Sequence, residues 1–300
     1  MTSAAIVRRA WEQGLAVPGF NIPYLPMMEP VVRALRDTGC FGFVMVARLE
    51  WEKFASGSPL AIRDEYRRVK DERFTRLHMD HVPAIDEDDR RVDYESILRE
   101  AVALGYDSVM VDASRLPLDG NIDATRRIVE LAHAGGVPVE AELGAVLGHE
   151  SGPLPPYEEL FASGRGFTDP GEAARFVRET RVDWLSVAVG SVHGAISAAT
   201  KGQKKVEARL NLEHLDRLRA SAGVPLVLHG GTGIRKEYVL GAIRRGIAKI
   251  NVATAIRQPY EAAMEGPVAK AQAAVYDAAR ACIVDDLELE GTAARLLGGA

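Results

Sequence analysis

Cysteine is scarce in this chain of 300 residues: it has two, Cys40 and Cys282, and no CxxC pair. That excludes a disulfide framework and a thiolate zinc site. Long apolar runs are missing too. No stretch approaches the roughly 18 residues that a membrane-spanning helix needs. Met1–Arg9 has none of the apolar core of a signal peptide. Basic clusters are short pairs such as Arg67-Arg68 and Lys204-Lys205, in a chain of formal net charge -5, so no nucleic-acid surface is expected. No GxGxxG opens a helix after the first strand-like run, which argues against a dinucleotide-binding open sheet. What remains is a cytoplasmic globular protein that binds neither membrane nor nucleic acid. At 47% hydrophobic residues it can bury one large core.

Apolar, β-rich runs alternate with runs of helical period almost throughout. The strand-like runs are 17–22, 41–47, a third ending at Asp80, 108–112, 137–142, 184–189, 225–229 and 247–252. Helical periodicity falls between them, at 26–38, 64–73, 94–104, 121–134, 170–178, 212–220 and 235–245, and the Ala-rich C-terminal third is helical. Eight strands alternating with helices predict one (β/α)8 barrel domain over residues 1–300, with additional C-terminal helices. The alternative is a doubly wound sheet. The irregular stretch 143–166, with five Gly and three Pro, has the length of an active-site lid.

In a barrel, chemistry gathers at the carboxyl ends of the strands. Those ends carry Asn21, Asp80, His81, Asp112, Glu142, His193, His229 and Asn251. Three imidazoles from different strands, His81, His193 and His229, with a fourth position open, suit a catalytic zinc ion. Asp80 beside His81 joins a proton-transfer group to a metal ligand. His78, His133, His149 and His214 do not fit the ring. Glycine turns at 190–194 and 229–233, with strand eight ending at Asn251-Val252-Ala253-Thr254, match the usual phosphate cradle of barrels.

These residues also carry a family resemblance. PGFNI (18–22), HMDH (78–81), SVMVDAS (108–114), EAELG (140–144), GHESG (148–152), VGSVHG (189–194), LHGGTG (228–233) and KINVAT (249–254) occur in the order found in class II, zinc-dependent ketose-bisphosphate aldolases, and the chain resembles that family over most of its length. The resemblance implies Asp80 as catalytic acid/base, Glu150 as a loop acid, and His81, His193 and His229 as Zn2+ ligands. It implies Asp112 and Glu142 at a secondary metal position. Asn21, Gly194, Gly230, Gly231, Thr232, Asn251, Val252, Ala253 and Thr254 would form the site for dihydroxyacetone phosphate. A monovalent cation (Na+ or K+) and a homodimer or homotetramer are also implied.

The chain departs from the family pattern in places. Ala47 stands where a Ser is usual, Val82 follows His81, and residues 195–200 intervene before Lys201. Ala253 stands where fructose-bisphosphate enzymes often carry Asp and tagatose-type members carry Ala. The expected substrate is therefore a phosphorylated ketose, with a tagatose-type bisphosphate favoured over fructose 1,6-bisphosphate. A ketose 1-phosphate with another tail is the alternative. Two other readings are a phosphate-binding barrel acting as sensor or partner subunit, and a zinc hydrolase, which would need an HxH pair where strand one ends in Asn21.

Overall fold

The computed structural model describes residues 1–144, 157–191 and 208–298. Eight parallel strands close into a barrel in sequence order: β1 Val17–Asn21, β2 Gly42–Ala47, β3 Thr75–Pro83, β4 Ser108–Asp112, β5 Val139–Leu143, β6 Trp184–Val187, β7 Leu226–Leu228 and β8 Ile247–Val252. Closure comes from β1 pairing with β8, Gly19 opposite Asn251. Around it lie α1 Ser3–Glu12, α2 Met28–Asp37, α3 Arg48–Lys53, α4 Pro59–Val69, α5 Tyr94–Leu104, α6 Leu118–Ala134, α7 Tyr157–Ser163, α8 Pro170–Thr180, α9 Leu212–Ala222, α10 Lys236–Ile243 and α11 Thr254–Ala263. The chain finishes with α12 Val268–Ala281, a π turn and α13 Thr292–Leu297, so the additional C-terminal helices are present. No helix among the described residues is long and apolar enough to cross a membrane.

Strand alternation sorts the side chains. Phe20, Val44, Leu77, Val109, Val139, Leu185, Leu226 and Ile250 face the helices and share one buried cluster with them. Val17, Phe41, Phe43, Trp184, Val227 and Ala248 form a second cluster with α1 and α13, which close the amino end of the barrel. Its carboxyl end is left to polar residues.

Three short helices lay outside the sequence expectation: α1, α3 and α7. The last falls within 143–166, which is therefore not irregular throughout. Tyr157 anchors it, donating to Gly190 O (3.1 Å) and accepting from Arg209 N (2.7 Å). The helix expected at 64–73 begins earlier, at Pro59, where the Ser58 hydroxyl accepts from Ala61 N and proline fits the first turn. The third strand runs past Asp80 to Pro83.

Close packing of β2 on α2 depends on Gly42. A Cβ there would stand 2.7 Å from Leu35 Cδ2 and 2.9 Å from the Pro18 carbonyl. Gly120, in the first turn of α6, has only Leu116 nearby, at 3.4 Å or more. Gly42→Ala is expected to lower stability by about 1–3 kcal/mol through overpacking. Gly120→Ala should be neutral or gain up to about 1 kcal/mol. Urea melts of the two variants check this.

Candidate active site at the carboxyl end of the barrel

Two consecutive residues of a regular strand point to opposite faces. In β3, Leu77 and Met79 join the outer cluster, and His78 and Asp80 point into the barrel. His81 should then point outward. Instead Met79 pairs with Val109 and Val82 with Val111, so β3 carries one extra residue against β4. His81 takes it up with φ of 22°, a conformation rare outside glycine. The bulge lets Asp80 and His81 face the same mouth, and Val82 resumes the outer face. Such backbone costs of order 1–3 kcal/mol and persists where surrounding contacts over-determine it. One such contact is His81 Nδ1 to Asp112 Oδ2, 3.2 Å.

The site is assembled from four strand ends. Ligand atoms of Asp80, His81 and His229 lie within 4.8 Å of one another, and so do those of His81, Asp112 and Glu142. The rings of His81 and His229 stand edge to face at 4.5 Å. Glu142 Oε2 is 3.0 Å from His229 Nδ1, and Asp112 Oδ1 accepts from Ser114 N and Oγ at 3.1 and 2.6 Å. Burial works against charge on His81, yet the charge of Asp80, the Asp112 hydrogen bond and Glu142 push its pKa up to about 10. His229 is likewise raised: burial and His81 oppose the rise, and Glu140 and Glu142 outweigh them. Asp80 is held down to about 2; burial opposes this, and the charges of His81 and Lys249 prevail. Carboxylates that drive two adjacent imidazoles toward the cationic form make a site that calls for positive charge. Zinc would suit this donor set of imidazole and carboxylate, with the imidazoles binding it in their neutral form.

Beneath this cluster lies a fully buried polar layer: His78 on β3, Glu140 on β5 and Lys249 on β8. Lys249 Nζ donates to Glu140 Oε2 (2.8 Å) and Asn251 Oδ1 (2.7 Å). Trp184 Nε1 also donates to Glu140 Oε2 (2.6 Å), and Glu140 Oε1 takes His229 Nε2 at 2.8 Å. His78 Nδ1 meets Ser108 Oγ at 2.8 Å, and burial with nearby Lys249 lowers its pKa to about 3. His78, Asp80 and Glu140 also bring ligand atoms together, but Lys249 Nζ stands 2.8 Å from Glu140 and 4.0 Å from Asp80, so that triad already has its cation. Among the described residues, the upper cluster is therefore the candidate metal site. Glu140 holds the far nitrogen of His229, the usual device for orienting a metal-binding ring.

The two asparagines serve Asp80. Asn21 Nδ2 donates to Oδ2 (2.9 Å) and Asn251 Nδ2 to Oδ1 (3.0 Å), so both carboxylate oxygens are held. Gly230, Gly231 and Thr232 follow His229 in the β7–α10 turn, with Gly230 at φ of 68°. A Cβ at Gly231 would lie 2.8 Å from Ile250 and 3.1 Å from Asn251 O, so packing against β8 already requires this glycine. Val252 faces the outer cluster, which leaves only its backbone toward the mouth. Ala253 and Thr254 open α11, whose first turn has no side-chain cap. Glu150, His193 and Gly194 lie outside the described residues. His133 bonds Asp183 and His214 bonds Thr168 O, both away from the site.

Sequence reasoning passed over Glu140, Lys249 and Glu50. The first two carried a signal: each stands two residues from a residue assigned to the site, hence on the same strand face. Glu50 had none. It sits at the third position of α3, where its Oε2 accepts the Ala47 N–H at 2.8 Å as half of a capping box. It is buried beside Asn21 and Asp80, where Ala47 brings no polar side chain. Burial pushes its pKa up to about 8; the Ala47 N–H opposes the rise and Asp80 reinforces it.

Comparison with known proteins places this geometry. The sequence model described as Fructose-bisphosphate aldolase class-II matches residues 1–290. A fructose-bisphosphate aldolase of Staphylococcus epidermidis is 34% identical over 248 residues, covering 82% of this chain and 78% of that protein. One from Streptococcus pneumoniae serotype 4 is 32% identical, covering 85% and 78%. Among solved structures, the YdjI aldolase from Escherichia coli K12 superposes with a TM-score of 0.74 at 26% identity, over 98% of this chain and 99% of that one. A putative fructose-1,6-biphosphate aldolase from Coccidioides immitis gives 0.76 at 26%, over 97% of each chain.

Glu50 has a consequence for stability. Between its ordinary pKa of 4.5 and about 8, the folded state keeps a proton that the unfolded chain has lost. Stability therefore falls as pH rises through that window, by up to about 1.4 kcal/mol per pH unit. Glutamine at this position still accepts the Ala47 N–H and does not titrate. In metal-free protein, Glu50→Gln should match the wild type near pH 4.5 and exceed it progressively toward pH 8. Parallel denaturation curves at each pH are the check; a constant difference would contradict the assignment.

Proposed function

This chain belongs to the class II fructose-bisphosphate aldolase family, and we propose from that premise that it cleaves a phosphorylated ketose reversibly to dihydroxyacetone phosphate and an aldehyde. The observation that carries the reading is the convergence of Asp80, His81 and His229 within 4.8 Å at the barrel mouth. His81 and His229, with His193, would hold zinc, and Asp112 and Glu142 a secondary position. When bound, the metal supplies Lewis-acid charge for the enediolate left when a C–C bond beside a carbonyl breaks.

The protein's own groups do the rest. Asp80, ionised and held by two amides, takes the proton of the hydroxyl on the carbon that leaves as aldehyde. The electrons of the broken C–C bond pass to the ketose carbonyl, giving the enediolate. Glu150 then returns a proton to its carbon, which completes dihydroxyacetone phosphate. Gly194, Gly230–Thr232 and Asn251–Thr254, with Asn21 beside Asp80, would hold dihydroxyacetone phosphate, its phosphate on backbone N–H groups. The uncapped first turn of α11 supports this, since its N–H groups suit an anion. A monovalent cation would sit among the same turns. The whole chain, 1–300, acts as one domain, as a homodimer or homotetramer.

For the aldehyde half, Ala253 and Ala47 each lack a group that could hydrogen-bond a substrate hydroxyl or phosphate. A missing polar partner changes discrimination more than a missing methylene. A tagatose-type bisphosphate, or a ketose 1-phosphate, is therefore expected to exceed fructose 1,6-bisphosphate in kcat/KM. A retro-aldol assay over epimeric ketose bisphosphates and ketose 1-phosphates tests this, with zinc content measured before and after chelation. Activity should vanish with the zinc and return with it. Full turnover without metal would refute the reading; fructose 1,6-bisphosphate as best substrate would refute the preference alone.

A further inference from the structure

Lys249 stands at the junction of two hydrogen-bonded arms. One runs through Glu140 to His229; the other runs through Asn251 to Asp80. We propose that Lys249 is a positioning residue that sets the hydrogen-bond polarity of both arms, tying the metal-facing imidazole of His229 to the proton-accepting carboxylate of Asp80. The inference rests on the aldolase reading given above.

Donors and acceptors decide the arrangement. A lysine ammonium has three donors and no acceptor. Whatever it touches at hydrogen-bond distance must present a lone pair. At Asn251 it engages Oδ1 at 2.7 Å, which removes the freedom of the amide to flip and leaves Nδ2 for Asp80 Oδ1 at 3.0 Å. Asp80 is then met by N–H groups on both oxygens, from Asn251 and Asn21, and is held as the anion that can take a proton. At Glu140 it engages Oε2, shared with Trp184 Nε1, and leaves Oε1 for His229 Nε2. The ring is thereby held with Nε2 as donor and Nδ1 on the side of Glu142, within the ligand cluster. With the side chain buried completely, no solvent competes for these contacts.

A lysine that merely neutralised buried carboxylates would support the whole site evenly. One that sets polarity affects the step that uses Asp80 more than the step that does not. In the mechanism above, cleavage needs Asp80, whereas exchange of the dihydroxyacetone phosphate carbon-bound proton with solvent uses Glu150.

The test compares Lys249→Met with wild type and Asp80→Ala, each saturated with zinc. Zinc affinity, proton exchange of dihydroxyacetone phosphate and ketose cleavage are measured on the same preparations. Lys249→Met should lose about 10²–10³-fold in cleavage, approaching Asp80→Ala, with exchange within about tenfold of wild type. Its zinc affinity should fall by about 10–100-fold, as when a group behind a metal ligand is lost. Equal loss of cleavage and exchange, or unchanged zinc affinity, would overturn the proposal. If Lys249→Met does not fold, Lys249→Met with Glu140→Gln removes the orphaned charge and is held to the same outcomes. Borohydride trapping of dihydroxyacetone phosphate on Lys249 would also overturn it, since it would make the amine a nucleophile. An inactive wild type would refute the aldolase reading instead, and the zinc-affinity comparison would still decide the role of Lys249.

Discussion

The site depends on one extra residue in one strand. Alternation forbids neighbours on a strand from facing the same way, yet Asp80 and His81 meet at one mouth. The β3 bulge resolves this by setting His81 at φ of 22°. A second bulge does similar work on β8, where Leu226 pairs with Ile247 and Val227 with Lys249. Ala248 takes up the extra residue and joins the lower apolar cluster, and Lys249 and Asn251 both reach the barrel interior. Both irregularities lie beside buried charge, and each re-aims a side chain that the regular pleat would have sent elsewhere.

Buried charge is the second theme. Glu140 and Lys249 have no access to solvent, and removing ions from water costs several kcal/mol each unless they are paired and hydrogen-bonded. Here Glu140 is met by Lys249, Trp184 and His229 together. An apolar layer would give a more stable barrel, but it could not fix which nitrogen of His229 faces the ligand cluster or which end of Asn251 meets Asp80. The layer is thus better understood as orientation than as stability. Glu50 follows the same pattern: a buried carboxyl that accepts the Ala47 N–H, at a strand end where the Ala47 side chain is apolar.

Much of this was legible in the sequence. Strand and helix periods gave the barrel, because buried parallel strands read as short apolar runs between helical repeats. Asp80, His81, Asp112, Glu142 and His229 were legible because they stand at or beside the ends of those runs, and the structure brings them together. Glu140 and Lys249 were less legible because they stand inside their strands and not at the ends, although a period of two places them on the same face. The bulges were not legible at all, since an extra residue changes no composition. Asn21 and Asn251 were expected at the substrate site, and the structure shows their amides also holding Asp80, a contact that the sequence did not display. Gly231 was expected to admit an anion, and its packing against Ile250 already requires glycine.

The central claim is that the upper cluster holds the metal and that Lys249 is the cation of the layer below. Anomalous scattering from a zinc-loaded crystal, recorded on both sides of the zinc absorption edge, tests it most directly. The account predicts a single zinc peak bonded to the imidazoles of His81 and His229, with Lys249 still on Glu140. A peak among His78, Asp80 and Glu140, with Lys249 displaced, would contradict it.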